Sequence, residues 1–363
     1  KSICTHSFLK NIIITLKIYK MGGRVMQATQ QKANQNNLLE KVFKLSEHGT
    51  NVKTEIIAGI TTFMTMAYIL AVNSNMLAEA GMDAGAVFVA TALSATISCF
   101  VMAFLSNYPI ALAPGMGLNA FFAYTVVLQM GYTWQMALLG VFIEGVLFII
   151  LTVTSLREQI INCIPKDLKN AVTAGVGLFI ASVGMTNAGI INTANGTLAL
   201  SSLHDPLVVL SVVGLGIAGI LVCRNVRGAL LLSILLTSAI GMLTGIVTLP
   251  TKIVSLNVPS LAPTFMQAFS VPLEKIFSLD MVIVVFTFLF MDLFDSVGFL
   301  VGVAAKGNLI DENGKIPKAK QAMLADAIGT TVGAVLGTST VTCFMESSAG
   351  ISEGGKTGLT AFT

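Results

Sequence analysis

Nine apolar runs, at residues 56–73, 87–105, 108–129, 134–154, 170–187, 206–223, 228–249, 279–305 and 321–337, dominate the chain, and a shorter, broken stretch follows over 338–363. Most are about 17 to 25 residues long, the length a helix needs to cross a hydrocarbon core roughly 30 Å thick at about 1.5 Å per residue. A membrane barrel would alternate apolar and polar positions over roughly ten-residue strands, and no such period occurs. The chain has 54% hydrophobic and 11% charged residues and a mean hydropathy of +0.82, whereas soluble domains carry about 25% charged residues. The expected fold class is therefore all-α, polytopic and surrounded by lipid.

Charge placement orients the spans. Lys32, Lys41, Lys44 and Lys53 precede the first run; Arg157, Lys166 and Lys169, then Arg224 and Arg227, then Lys306, Lys315, Lys318 and Lys320 fill later connections. The intervening loops 74–86, 130–133 and 188–205 hold no Lys or Arg. The positive-inside rule then puts the N-terminus in the cytoplasm and the 250–278 loop, with Lys252 and Lys275, outside.

Cys4, Cys99, Cys163, Cys223 and Cys343 are scattered, with no metal-ligand spacing, and read as small apolar residues. His6, His48 and His204 lie outside the runs, so an intramembrane proton relay would have to use carboxylates. Residues 1–50 read as a solvated cytoplasmic tail. Its apolar start, Phe8–Tyr19, is interrupted by Lys10 and Lys17 and lacks a small-residue cleavage site, which argues against a signal peptide. Met21 and Met26 are alternative starts, and Gln27–Asn37 is polar.

Two segments resist a continuous helix. Asn107–Asn119 contains Pro109, Pro114, Gly115 and Gly117. Gly337–Gly350 begins with a β-branched Thr/Val run that reads as a short strand leading into a helix. Irregular backbone at membrane depth survives only where protein or a wet cavity satisfies its N–H and C=O groups. Carriers built from inverted repeats put their binding sites at such paired breaks. These two segments are therefore expected to face one another across a cavity.

An ionisable residue at the centre of a span costs about 2.5–3.5 kcal/mol or more on insertion scales, so each one is a functional candidate. They are Glu144, Asp292, Asp295 and Asp326, with Glu346 in the broken stretch. Asp292 and Asp295, three apart, are expected to share a helix face and to raise each other's proton affinity. Glu346 opens a half-helix with Ser347 and Ser348. Its carboxylate, the Asn119 amide and the backbone around Gly117 offer the mixed acceptors and donors that suit a small planar heterocycle. An anion fits poorly without a basic residue in a span. One motif misleads: Gly350–Thr357 (GISEGGKT) matches a phosphate loop, but it lacks a soluble βαβ setting, and nucleotide binding is not expected. Asn195–Thr197 is a formal glycosylation sequon on an outer loop.

Thr65–Asn73 (TMAYILAVN), Ala113–Phe122 (APGMGLNAFF), Val141–Gly145 (VFIEG), Ile164–Lys169 (IPKDLK) and Glu346–Ile351 (ESSAGI) together resemble the AzgA-like adenine, guanine and hypoxanthine permeases of the nucleobase-ascorbate transporter superfamily. The resemblance runs from about residue 40 to the last residue. It implies a UraA-like fold of fourteen spans in two inverted repeats of seven, with short strands in the broken third and tenth spans. It also implies a moving core domain (spans 1–4 and 8–11) against a gate domain (spans 5–7 and 12–14). On this chain the core would take residues 54–154 and 279–363, the gate 155–249, and 1–53 would be the tail. Stopping at Thr363, the chain holds about ten of the fourteen spans and is expected to be a C-terminally truncated member.

The resemblance implies that Asp295, with Asp292 one turn earlier, and Glu346 grip the base and that Asn119 matches a polar residue of the third span; the residues themselves add Gly117 and Ser347 to the expected substrate site and Asp292, Glu346 and Glu144 as the expected proton-coupling groups. The expected function is uptake of purine bases by proton symport across the cell membrane. No cofactor other than the coupling H+ is implied, no metal and no nucleic acid; the partners are a purine base and membrane lipid, with a homodimer the usual assembly of this fold. The rivals are a carrier of another small solute on the same fold and a non-transporting or channel-like membrane protein. An enzyme is not expected, since the spans hold no nucleophile–base pair.

Overall fold

Each apolar run is converted into structure by what flanks it. The computed structural model describes residues 38–154, 166–192, 199–201, 204–224, 226, 228–247, 258–272, 276, 278–307, 309 and 316–363. Arg157, Cys163, the Asn195–Thr197 sequon, Arg227, Lys252, Lys275 and Lys315 lie outside the described residues, as does the tail up to Asn37.

Helix α1 (Leu38–Phe43) ends the expected tail, and its apolar end does not stay in water. Phe43 and Leu45 are buried against Ala103, Leu359 and Ala361, and Phe43 stacks on Phe104 at 5.7 Å. The tail therefore stops short of residue 50, because these apolar side chains find a partner surface. Helix α2 (Val52–Met66) starts at Asn51, whose side chain accepts the Thr54 amide at 3.0 Å. A break at Ala67–Tyr68 leads to α3 (Ile69–Glu79). Helix α4 (Ala84–Leu105) is capped by Asp83.

The 108–129 run opens as strand β1 (Leu112–Pro114). It turns at Gly115 into α5 (Met116–Ala120), which widens to a π-helix over Phe121–Gln129. After α6 (Trp134–Val153) and α7 (Lys166–Asn187), a small hairpin pairs β2 (Ile191–Asn192) with β3 (Ala199–Leu200). Then come α8 (Pro206–Cys223), α9 (Ala229–Leu243), α10 (Leu279–Lys306) and α11 (Ala319–Leu336), followed by strand β4 (Val341–Cys343), α12 (Ser347–Ser352) and α13 (Gly358–Phe362).

Among the described residues, five helices are long and apolar enough to cross a membrane: Val52–Glu79, Ala84–Leu105, Trp134–Val153, Pro206–Cys223 and Leu279–Leu300. Met116–Gln129, Gly177–Asn187 and Ala229–Leu243 are shorter apolar helices. Phe63, Phe104, Ile150, Leu215, Ile220, Val282 and Phe286 are exposed. A surface this apolar suits lipid rather than water. The chain is a helical, polytopic membrane protein.

Helix α11 lies between α4 and α6, while α8 and α9 pack mainly on each other. The largest apolar cluster joins Leu118, Phe121 and Phe122 to Leu138, Val141, Val284 and Phe288. Strands β1 and β4 pair antiparallel, with Leu112 opposite Cys343, Ala113 opposite Thr342 and Pro114 opposite Val341, and their apolar side chains join separate clusters with Met102, Ile110 and Leu300 and with Met66, Ile69 and Phe344. The ladder continues at both ends, Gly115 N donating to Thr340 O and Phe344 N to Ala111 O, each at 3.0 Å. Every residue of β1 and β4 is buried. The ribbon thus satisfies backbone groups that lipid would leave unpaired.

Candidate functional site

Both strands feed directly into a helix. Gly115 leads from β1 into α5, which carries Gly117 and Asn119; Glu346 precedes α12, whose first residue is Ser347. Because the strands are antiparallel, the two helices leave the ribbon from opposite ends.

The three residues before β4, Thr338, Ser339 and Thr340, are fully buried, and each hydroxyl is tied to a different element. Thr338 Oγ1 accepts from Asn73 Nδ2 of α3 at 2.9 Å, and the same amide reaches Thr91 Oγ1 of α4 at 2.7 Å. Ser339 Oγ donates to Asn119 Oδ1 of α5. Thr340 Oγ1 donates to Glu144 Oε2 of α6 at 3.2 Å. A Thr-Ser-Thr run that reads from sequence only as strand-forming is thus the polar hub between the tenth segment and the first four.

Asn119 is 1% exposed, and while Ser339 takes its Oδ1, its Nδ2 has no partner among the described residues. Glu346 is half-buried, and its Oε1 accepts from the Tyr68 hydroxyl at 2.6 Å. Tyr68 stands at the break between α2 and α3, in a motif quoted above for its resemblance, yet sequence reasoning gave it no role. Gly117 is buried on α5. Ser347 Oγ accepts from Ala111 N at 2.9 Å, so this hydroxyl fastens α12 to the start of β1.

The aspartates of α10 separate. Asp292 is fully buried and Asp295 half-buried. Three residues apart, the two share a helix face, but the contacts of Asp292 run to Ser296 on the next turn and to Glu144 of α6. Ser296 Oγ lies 2.8 Å from Asp292 Oδ1 and 2.5 Å from Asp326 Oδ2 of α11. Glu144 of α6 lies beside Asp292 and within electrostatic reach of Asp326. Glu144, Asp292 and Asp326 are all fully buried. A serine hydroxyl carries one proton, so its two carboxyl partners share a single donor. The hydroxyl thus ties a carboxyl of α10 to a carboxyl of α11 in a fully buried setting. Sequence showed the carboxyls but not Ser296, because a serine in an apolar helix is unremarkable without its neighbours.

The segment resembling a phosphate loop is occupied from within. Glu55, fully buried, accepts from Lys356 N at 2.9 Å, Thr357 N at 3.2 Å and Thr360 Oγ1 at 2.6 Å. The backbone amides that would cradle a phosphate hold this carboxylate instead. Glu55 immediately precedes the first apolar run, and nothing in its local sequence points to partners at 356–360.

Residues 53–363 match the model of the Permease family. The chain is 47% identical over 333 residues to the guanine/hypoxanthine permease PbuG of Bacillus subtilis, covering 89% of this chain and 75% of that one. It is 44% identical over 337 residues to the adenine permease AdeP of Escherichia coli, covering 92% and 74% respectively. The transmembrane domain of the cyanobacterial bicarbonate transporter BicA shares the fold, with a TM-score of 0.59, at 16% identity over 86% of this chain and 79% of that one. The match to the family model takes in both strands, both half-helices and the buried carboxyls: the chain belongs to the Permease family.

Proposed function

We propose that this permease carries purine nucleobases across the cell membrane by proton symport. The antiparallel pairing of Leu112–Pro114 with Val341–Cys343 carries the reading, because one rigid ribbon then links the helix bearing Asn119 to the helix that follows Glu346. The similarity to permeases named for guanine, hypoxanthine and adenine supplies the substrate class. In this reading the fold is an inverted repeat of seven plus seven spans with the N-terminus cytoplasmic, and α2–α6 with α10–α13 move as a core against α7–α9.

A purine presents ring N–H and exocyclic groups along one edge. Glu346 and Asp295 accept its N–H donors. The unpartnered Asn119 Nδ2 donates to a ring nitrogen or carbonyl, beside the Gly117 backbone. Ser347, its hydroxyl bonded to Ala111 N, fixes the start of the half-helix beside Glu346.

Glu144, Asp292 and Glu346 couple transport to protons. A cluster of ionised carboxyls is costly to move through a low-dielectric barrier. Loading a proton lowers that charge, so the protonated and occupied core crosses more readily than the empty one.

Uptake of radiolabelled hypoxanthine, guanine and adenine into cells lacking their own nucleobase carriers tests the substrate. A pH-sensitive dye inside proteoliposomes tests the coupling. Purine-driven acidification that is lost in Glu144→Gln, with uptake lost in Glu346→Gln and Asp295→Asn, supports the reading. Saturable uptake unaffected by all three changes sinks the site, and uptake without proton movement sinks the symport.

A further inference from the structure

A cavity of about 260 Å3 opens between the third-segment helix, α7 and α10, lined by Phe121, Gly175, Phe179 and Met291. We propose that Phe121 and Phe179 are a two-sided aromatic clamp for the faces of the bound heterocycle, one ring supplied by the core and the other by the gate. This rests on the purine reading above and adds to it the residues that grip the ring faces rather than the edge.

The Phe121 side is prearranged. Its ring meets Phe288 edge-to-face, centroids 5.1 Å apart at 83°, so its position is set by the α10 packing. It is also the first residue of the π-helical stretch, an irregularity that recurs at functional sites. Gly117 lies one turn earlier on the same face.

On α7, Gly175 and Phe179 are four apart and share a face. A Cβ built on Gly175 meets nothing within 4 Å, so the space beside Phe179 is open. On α10, Met291 is one turn before Asp295. The helix therefore offers the cavity a thioether wall and, next along the same face, a half-buried carboxylate. Among the described residues, the lining is apolar and aromatic, without a charged side chain. Such walls favour a flat π-system, whose faces stack while its edge reaches polar groups at the rim. An inorganic anion gains nothing from them.

The full chain, in cells for uptake and in proteoliposomes for labelling, provides the test. Phe179→Ala raises KM for hypoxanthine at least about fivefold, the usual loss when a base loses its aromatic partner. Phe179→Tyr restores KM to within about twofold, whereas Phe179→Leu, which keeps bulk without a π face, does not. Gly175→Leu fills the open space and abolishes uptake at unchanged membrane abundance. In Phe179→Cys, saturating hypoxanthine slows maleimide labelling at least about threefold. If Phe179→Ala and Phe179→Leu both keep the unaltered KM, or if hypoxanthine leaves the labelling rate unchanged in a variant that still transports it, the clamp is wrong while the purine reading stands. If the unaltered chain takes up no purine, the function proposed above fails first and takes the clamp with it.

Discussion

The Tyr68 hydroxyl donates to Glu346 Oε1 at 2.6 Å, joining the break in the first span to the start of the tenth-segment half-helix across 278 positions of sequence. Two interruptions that look independent along the chain are one contact in space. With Thr65 Oγ1 also 3.5 Å from the Glu346 carbonyl, the α2–α3 break faces the residue proposed to bind substrate.

Tyr68→Phe removes that single hydroxyl and leaves the ring. A hydrogen bond contributes about 0.5–1.5 kcal/mol, and Glu346 would lose the donor that fixes its rotamer. Hypoxanthine uptake by Tyr68→Phe is expected to show a KM raised about tenfold, with protein abundance in the membrane unchanged. An unaltered KM would mean that the contact holds the fold rather than the substrate site.

Part of this architecture was legible in the chain and part was not, for a physical reason. Runs such as 134–154 and 206–223 map closely onto α6 and α8, because membrane thickness dictates length and lipid dictates composition. Pro109, Pro114 and Gly115 likewise announced that the third segment breaks. Partnership across spans was not legible. Asp292 lies three residues from Asp295, yet its contacts are Ser296 and Glu144, and its bridge to Asp326 crosses from α10 to α11. Helical spacing predicts neighbours on one helix only. The same limit hid Glu55, whose partners at 356–360 are about 300 positions away.

That Glu55 contact predicts a stability effect. Its carboxylate satisfies two backbone amides and the Thr360 hydroxyl inside the protein, and unpaired buried donors cost about 1–3 kcal/mol each. Glu55→Ala is expected to lower the melting temperature of the detergent-solubilised protein by several degrees, and Glu55→Gln, which keeps one acceptor oxygen, by less. Since this carboxylate fills the nest, adding Mg-ATP is expected to leave the melting temperature unchanged. A nucleotide-dependent rise would show that the segment binds phosphate after all.

Gly350 predicts a packing limit. A Cβ there would meet the Ala58 carbonyl oxygen at 2.5 Å and would also collide with Thr62 Oγ1, so α12 sits directly on the α2 backbone. Gly350→Ala is expected to displace the half-helix and abolish uptake. Gly216→Ala on α8, where a Cβ meets nothing within 4 Å, serves as the control and is expected to transport normally. Active Gly350→Ala protein would show that α12 has room to shift without harm.

Ser296 predicts how the buried carboxyls depend on one another. Its hydroxyl lies between Asp292 Oδ1 and Asp326 Oδ2, and without it two buried acids must either share a proton directly or separate. Either outcome alters the cost of loading and releasing a proton, since buried carboxyls respond strongly to their hydrogen-bond partners. Ser296→Ala is expected to cut the maximal rate of purine uptake at least about tenfold, equivalent to about 1.4 kcal/mol of barrier. KM should change much less, because the hydrogen bonds of Ser296 go to Asp292 and Asp326 rather than to Asp295, Glu346 or Asn119. Ser296→Thr keeps the hydroxyl and is expected to retain most of the rate. Dye-reported proton entry per purine carried separates the causes: a slowed but fully coupled carrier places Ser296 on the proton route. A normal rate in Ser296→Ala would mean that the three carboxyls exchange their proton without it.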